Sequence, residues 1–150
     1  MQSRYQGPRL RDALLDQGVF VETLETAAFW PDIIPLYRAL QAAMKKALRA
    51  EWTQSTVMCH TSHIYESGAS LYFTVLCEAG PDPYSRWDAV YQAASREIVS
   101  AKATSTHHHG VGSDHRDLYH REIGPAALAA LRAVKNSLDP QGILNPGILV

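Results

Sequence analysis

Thr106-His107-His108-His109-Gly110-Val111-Gly112 holds the densest chemistry of this chain, three adjacent imidazoles beside two glycines and far from either terminus. An expression tag is a longer histidine run at an end, so this run is read as native. Imidazole ionises nearest neutrality and serves as acid, base, phosphate contact or metal ligand. The glycines let backbone approach whatever the histidines face. In a regular strand alternate side chains diverge, so the three cannot all face one point; an irregular loop lets two converge. His115 and His120 lie downstream with Asp114 and Asp117, and His60 and His63 lie upstream. No spacing among them matches an established zinc pattern such as HExxH, so no metal is expected, with a metal site at the loop kept as an alternative.

A second group runs through His60-Thr61-Ser62-His63-Ile64-Tyr65 and Leu71-Tyr72-Phe73-Thr74. These residues read either as cross-strand packing with satisfied polar tips, or as Tyr72 or His63 projecting into a cleft as acid/base or anion contact. Arg11 is either a solvated helix arginine or a planar fork for a carboxylate or phosphate. The tail Leu138-Asp139-Pro140-Gln141-Gly142-Ile143-Leu144-Asn145-Pro146-Gly147 is a helix stop followed by turns. As a site, its exposed backbone and Asn145 would hold a flat heteroaromatic or an amide-like edge.

The elements that must position these groups follow from periodicity. Residues 9–17 predict a short helix ended by Gly18. Residues 19–26 alternate, with Val19, Val21, Thr23 and Glu25 on one face and Phe20, Glu22, Leu24 and Thr26 on the other, which predicts a strand. Trp30-Pro31-Asp32 breaks the pattern, and apolar residues at helical spacing predict an amphipathic helix over 33–50. The β-rich runs 55–65 and 69–78 flank Glu66-Ser67-Gly68 and predict an antiparallel hairpin. Helices are predicted over 84–101 and 126–138, the latter led by Gly124-Pro125, with the histidine loop between them.

This order gives an α+β fold with a βαββα core, resembling a ferredoxin-like antiparallel sheet that is one strand short, with flanking helices. An open sheet edge is normally paired or covered. The deficit therefore predicts either a homo-oligomer or a sheet completed by residues preceding Met1.

The 150 residues fit a single domain, and 46% are hydrophobic, which excludes disordered and fibrous classes. A formal net charge of -1 and a pI near 6.6 argue against nucleic-acid binding through bulk positive charge. No apolar run approaches the roughly 20 residues that span a bilayer, and MQSRYQGPRLRD lacks the apolar core of a signal peptide. Cys59 and Cys77 read as buried thiols of a reducing, cytoplasmic compartment.

Several of these segments together resemble the C-terminal half of FAD-linked oxidases of the vanillyl-alcohol-oxidase type, and more narrowly the alkyldihydroxyacetonephosphate synthase branch and its bacterial relatives. They are Leu10-Arg11-Asp12 with Val21 to Thr26, Cys59 to His63 through Gly68 to Phe73, His107 to Gly112, and Leu138 to Gly147. The resemblance implies a cap, or substrate, domain over the isoalloxazine ring of FAD. The flavin itself would be held mainly by a separate FAD-binding domain, expected upstream or on another chain. In the synthases the flavin N5 forms an adduct with a dihydroxyacetone unit, and a fatty alcohol replaces a fatty acid.

Carried over by motif, Tyr72 would be the acid/base near the flavin, and His107, His108 and His109 would line the catalytic site. His108 and Asn145 would lie by the cofactor. Arg11, His63 and His109 would contact a small anionic substrate. The chain departs from the eukaryotic synthases at Ser113-Asp114-His115-Arg116, where they carry a lysine soon after the second glycine. Lys102 also stands in a stretch that is usually small and Gly-rich. No Gly-rich pyrophosphate cradle precedes Met1, so weak FAD binding by the chain alone is expected. The alternatives are a non-catalytic remnant and a ferredoxin-like small-ligand module.

Overall fold

The computed structural model describes residues 7–150, with side chains from Leu10 onward. Seven elements follow one another: α1 (Gly7–Asp16), β1 (Val19–Phe29), α2 (Trp30–Glu51), β2 (Ser55–Ile64), β3 (Gly68–Glu78), α3 (Pro83–Ser100) and α4 (Gly112–Leu138). The strands form one antiparallel sheet in the order β1-β3-β2. The α+β class and the βαββα order match expectation, with three strands in the sheet.

Strand alternation decides which side becomes the core. Phe20 and Leu24 of β1 and Leu71, Phe73 and Val75 of β3 are buried against Leu36, Leu40, Met44 and Leu48 of α2 and Val90, Ala94 and Ile98 of α3. Each of the larger side chains among them contributes about 1.5–3 kcal/mol by leaving water. The α2 residues recur at three- and four-residue steps, so one stripe of the helix meets the sheet. Trp52 closes the end of this layer, its indole N–H donating to the Glu78 carbonyl at 2.8 Å. The other face is far more open: Thr56, Met58 and His60 of β2 are exposed, and Tyr72, Thr74 and Leu76 of β3 are half-buried.

Three sequence expectations need correction. β1 continues to Phe29 and α2 begins at Trp30, with Pro31 in the first turn. Proline is tolerated there because that N–H would lack an intrahelical partner anyway, so the Pro31 that seemed a breaker is a starter. Residues 112–123, expected as loop, are helical, and Gly124 (φ 75°, ψ 172°) kinks α4 before Pro125. That first half shows no helical apolar stripe, and Leu118 is its one buried hydrophobic residue. It is held instead by polar tertiary contacts: the Tyr91 hydroxyl donates to the Asp114 carbonyl at 3.2 Å and lies 2.7 Å from His115 Nδ1.

The third correction concerns Cys59, which is half-buried rather than buried. Cys59 pairs with Phe73 and Cys77 with Ser55, and both thiols are free. Burial pushes both thiols up to about 11. No helix among the described residues is long and apolar enough to cross a membrane.

Two local devices bring the histidine loop to the sheet. α3 ends with the Ala103 N–H on the Ile98 carbonyl at 3.1 Å and the Lys102 N–H on the Val99 carbonyl at 3.1 Å. This closure requires a left-handed residue, usually glycine, and Lys102 takes it with φ 52°. The Thr104 N–H then donates to the Ala27 carbonyl at the β1 edge, 3.1 Å away, and the Thr26 hydroxyl donates to the Thr104 carbonyl at 2.7 Å. The loop therefore crosses β1 with His107 aimed at the open face.

Candidate active site

Glu25 is the centre of the site. It stands mid-strand in β1, opposite Tyr72 of β3, which in turn is opposite His60 of β2. Its side chain is only 3% exposed. A buried carboxylate is costly unless it is hydrogen-bonded and paired, and Glu25 is both. The Ser62 hydroxyl donates to Oε1, His107 Nδ1 lies 3.2 Å from Oε1, and His109 Nε2 lies 3.2 Å from Oε2. His63 Nδ1 stands further off, at 3.8 Å. Burial, the strongest single influence, pushes the Glu25 carboxyl up. The hydrogen bonds from Ser62 and His107 and the charges of His107 and His109 together outweigh it, so the group lies below its ordinary value.

A bulge delivers two of these partners from one strand. Thr61 pairs with Leu71 and Ile64 with Ala69, so Ser62 and His63 together oppose Ser70. The extra residue shifts the alternation and re-aims a side chain, as bulges beside functional sites do. Ser70, fully buried, fixes the bulge: its Oγ accepts from the His63 N–H at 2.9 Å and lies 2.5 Å from Ser62 Oγ. Ser62 and His63 thus both reach the Glu25 neighbourhood.

The histidine loop resolves its own geometry through a left-handed residue. His108 has φ 61°, and Gly110 and Gly112 have φ 73° and 57°. With His108 turned out of line, its neighbours His107 and His109 converge on the two oxygens of one carboxylate. His108 instead stacks on His63, with ring centroids 4.4 Å apart and planes 15° apart. Tyr65 covers this layer: its hydroxyl is 2.9 Å from His107 Nε2 and 3.3 Å from His108 Nε2. Tyr72 meets His109 edge-on at 5.6 Å and His60 at 5.3 Å.

Tyr72, His63, His107, His108 and His109 are therefore neighbours on one side of the sheet. Two other candidate residues stand elsewhere. Arg11 donates to Glu22 Oε1 at 2.5 Å. Its partner Glu22 lines a cavity of about 380 Å³ with His109, His115 and Tyr91. Burial pushes the Glu22 carboxyl up, with Arg11 opposing. His115 is held below its ordinary value by burial, with the Asp114 charge opposing.

Asn145 is exposed in the tail with φ 42°. The tail lies along α4: Arg116 Nη1 donates to the Gly147 carbonyl at 2.8 Å and His120 Nε2 to the Leu149 carbonyl at 2.7 Å. Asp139 folds the turn by accepting from the Ile143 and Leu144 N–H groups, both at 3.0 Å.

Sequence reasoning missed Glu25, Ser62, Ser70 and Tyr65. For Glu25 a signal existed: a carboxylate among Val21, Thr23 and other strand formers, on the face that alternation assigns away from Phe20 and Leu24. The bulge gave no signal, because the segment carries neither glycine nor proline where the register slips.

In metal terms, one ring nitrogen each of His63, His107 and His108 falls within a mutual 4.8 Å. The Tyr65 hydroxyl already bonds the Nε2 atoms of His107 and His108.

A three-stranded α+β domain with a carboxylate-anchored imidazole cluster on its open face is the class that fold and site define. The model of the family "FAD linked oxidases, C-terminal domain" matches residues 2–149, and the chain belongs to this family. It is 30% identical over 150 residues to alkyldihydroxyacetonephosphate synthase of Trypanosoma brucei brucei, covering 99% of this chain and 24% of that protein. The Caenorhabditis elegans synthase is 30% identical over 145 residues, covering 94% and 24%. The uncharacterized FAD-linked oxidoreductase YgcU of Escherichia coli strain K12 is 24% identical over 144 residues, covering 93% and 30%.

The chain thus spans about a quarter of the length of the synthases it matches. A solved structure of an alkyldihydroxyacetonephosphate synthase superposes with TM-score 0.63 at 22% identity, over 95% of this chain and 22% of that one, which shows a shared fold.

Proposed function

We propose that this chain is the cap, or substrate, domain of an FAD-dependent enzyme resembling alkyldihydroxyacetonephosphate synthase or a bacterial FAD-linked oxidase. Its partner is an FAD-binding domain, on the same polypeptide or a separate one, in the cytoplasm. The observation that carries this reading is the convergence of His107 and His109 on buried Glu25 beside half-exposed Tyr72. Tyr72, Thr74, Met58 and His60 offer an open face, which suits one side of a planar ring system. FAD, when bound, supplies an electrophilic N5 and an electron sink.

The remaining roles belong to the chain's own residues. Tyr72 holds or releases a proton at its hydroxyl, with His109 against its edge. His63 and His109 contact a small anionic substrate, since a charged acceptor strengthens hydrogen bonds from imidazolium. Glu25 limits how much of their charge is free for that anion. Arg11 joins when its Glu22 pairing opens, and Asn145 reaches the flavin side when the tail docks against the FAD-binding domain. No metal enters this reading. The free edge of the short sheet is the surface for a second copy.

The test is flavin titration. The chain alone should hold FAD weakly, and adding the FAD-binding domain should restore tight flavin binding and turnover that Tyr72→Phe abolishes. Turnover unaffected by Tyr72→Phe would overturn the reading. Light scattering that finds a monomer at high concentration would remove the second copy.

A further inference from the structure

We propose that Glu25, His107 and Tyr65 form a proton relay ending at the Tyr65 hydroxyl, which serves a hydroxyl-bearing substrate. The inference deepens the reading above and rests on it for the substrate, whereas the relay itself stands on geometry.

The three groups lie in line. Glu25 Oε1 is 3.2 Å from His107 Nδ1, and His107 Nε2 is 2.9 Å from the Tyr65 oxygen. An ionised carboxylate only accepts, so Nδ1 carries the hydrogen and Nε2 faces Tyr65 from the opposite edge of the ring. Carboxylate, imidazole and hydroxyl in this order let an imidazole take a hydroxyl proton while the carboxylate stabilises the resulting imidazolium.

The environment runs the right way. The side-chain exposures of Glu25 and His107 are 3% and 12%, and the Tyr65 residue is 45% exposed. The relay therefore leads from the protein interior to solvent. Tyr65 also lines a cavity of about 330 Å³ with Lys102, Asp32 and Glu122. His108 Nε2, 3.3 Å from the same oxygen, is the second neighbour. One phenolic hydrogen serves one acceptor, so Tyr65 donates to His107 and His108 Nε2–H donates to Tyr65, stabilising the phenolate as it forms.

The proton balance is simple. The Tyr65 proton passes to His107 Nε2, and the Tyr65 oxygen takes the proton of a substrate hydroxyl. The substrate leaves as an alkoxide, Tyr65 is neutral again, and the imidazolium faces Glu25; the reverse sequence protonates a leaving alkoxide. Tyr65 is the catalytic residue of this relay, and Glu25 and His107 position it.

The test uses this chain with nitrogen-15-labelled histidine, at a pH where the rings are neutral and with no flavin present. Long-range proton–nitrogen spectra should show His107 as the Nδ1–H tautomer with Nε2 shifted by an accepted hydrogen bond. Tyr65→Phe should keep the tautomer and remove the Nε2 shift. Glu25→Leu should move His107 toward Nε2–H, and Glu25→Gln, whose oxygen still accepts, should restore Nδ1–H. A wild-type Nε2–H tautomer, or an Nε2 resonance unmoved by Tyr65→Phe, would overturn the relay. Tyr65 is on the surface, so that arm stands even where Glu25→Leu unfolds. A flavin assay that fails while these spectra hold would sink the cap reading and leave the relay.

Discussion

Glu25 and His109 meet through Oε2 and Nε2 at 3.2 Å, although one is mid-strand in β1 and the other follows α3. His107 occupies the other oxygen of the same carboxylate. One buried charge therefore fixes two of the three histidines and, through Ser62, the bulge of β2. The site is held together from its acidic centre.

Removing that centre should loosen the whole cluster. Glu25→Ala leaves Ser62, His107 and His109 without their common acceptor. It should lower stability by about 1–3 kcal/mol, the scale for stranding buried polar partners. Urea unfolding measures the loss, and unchanged stability would show that the cluster contributes nothing to folding.

The same group sets an acid limit. The Glu25 carboxyl lies below its ordinary value in the folded chain. The unfolded chain therefore takes up the proton first as pH falls. The stabilisation is complete above the ordinary glutamate value near 4.5 and is lost as pH falls through the lower folded one. His115, also held below its ordinary value, adds loss below about 6.5. Thermal melts from pH 8 down to about 3 should fall in two stages, and Glu25→Gln should diminish the lower one, to which Asp139, also held below its ordinary value, contributes.

Gly68 should tolerate no side chain. A β-carbon there would stand 2.1 Å from the Ala28 carbonyl oxygen, a backbone atom that cannot swing aside. Gly68→Ala should cost about 1–3 kcal/mol or more by overpacking the β1–β3 edge. Circular dichroism melts test this, and a neutral result would show that the strands part freely.

Lys102 offers the opposite sign. It adopts the left-handed conformation that closes α3, where a side chain is strained. Lys102→Gly should stabilise the chain by about 1 kcal/mol, less the greater freedom glycine gives the unfolded state. A loss of stability would mean that the lysine side chain contributes more than its backbone costs.

The strands and the two central helices were legible in the residue pattern. Alternation in β1 separates Phe20 and Leu24 from Glu25 whatever the tertiary context, because successive side chains leave a strand on opposite faces. The apolar stripe of α2 likewise follows from its spacing. The first half of α4 was not legible, since polar contacts to Tyr91 rather than an apolar stripe hold it. The convergence of the site was decided only by the tertiary structure. It needs a register slip at Ser62-His63, a left-handed His108 and a hydrogen bond from Thr104 to the edge of β1. Each depends on partners distant in sequence. The sequence by itself determined which imidazoles exist and which face Glu25 takes; packing alone decided that His107 and His109 share its carboxylate while His108 turns to His63 and Tyr65.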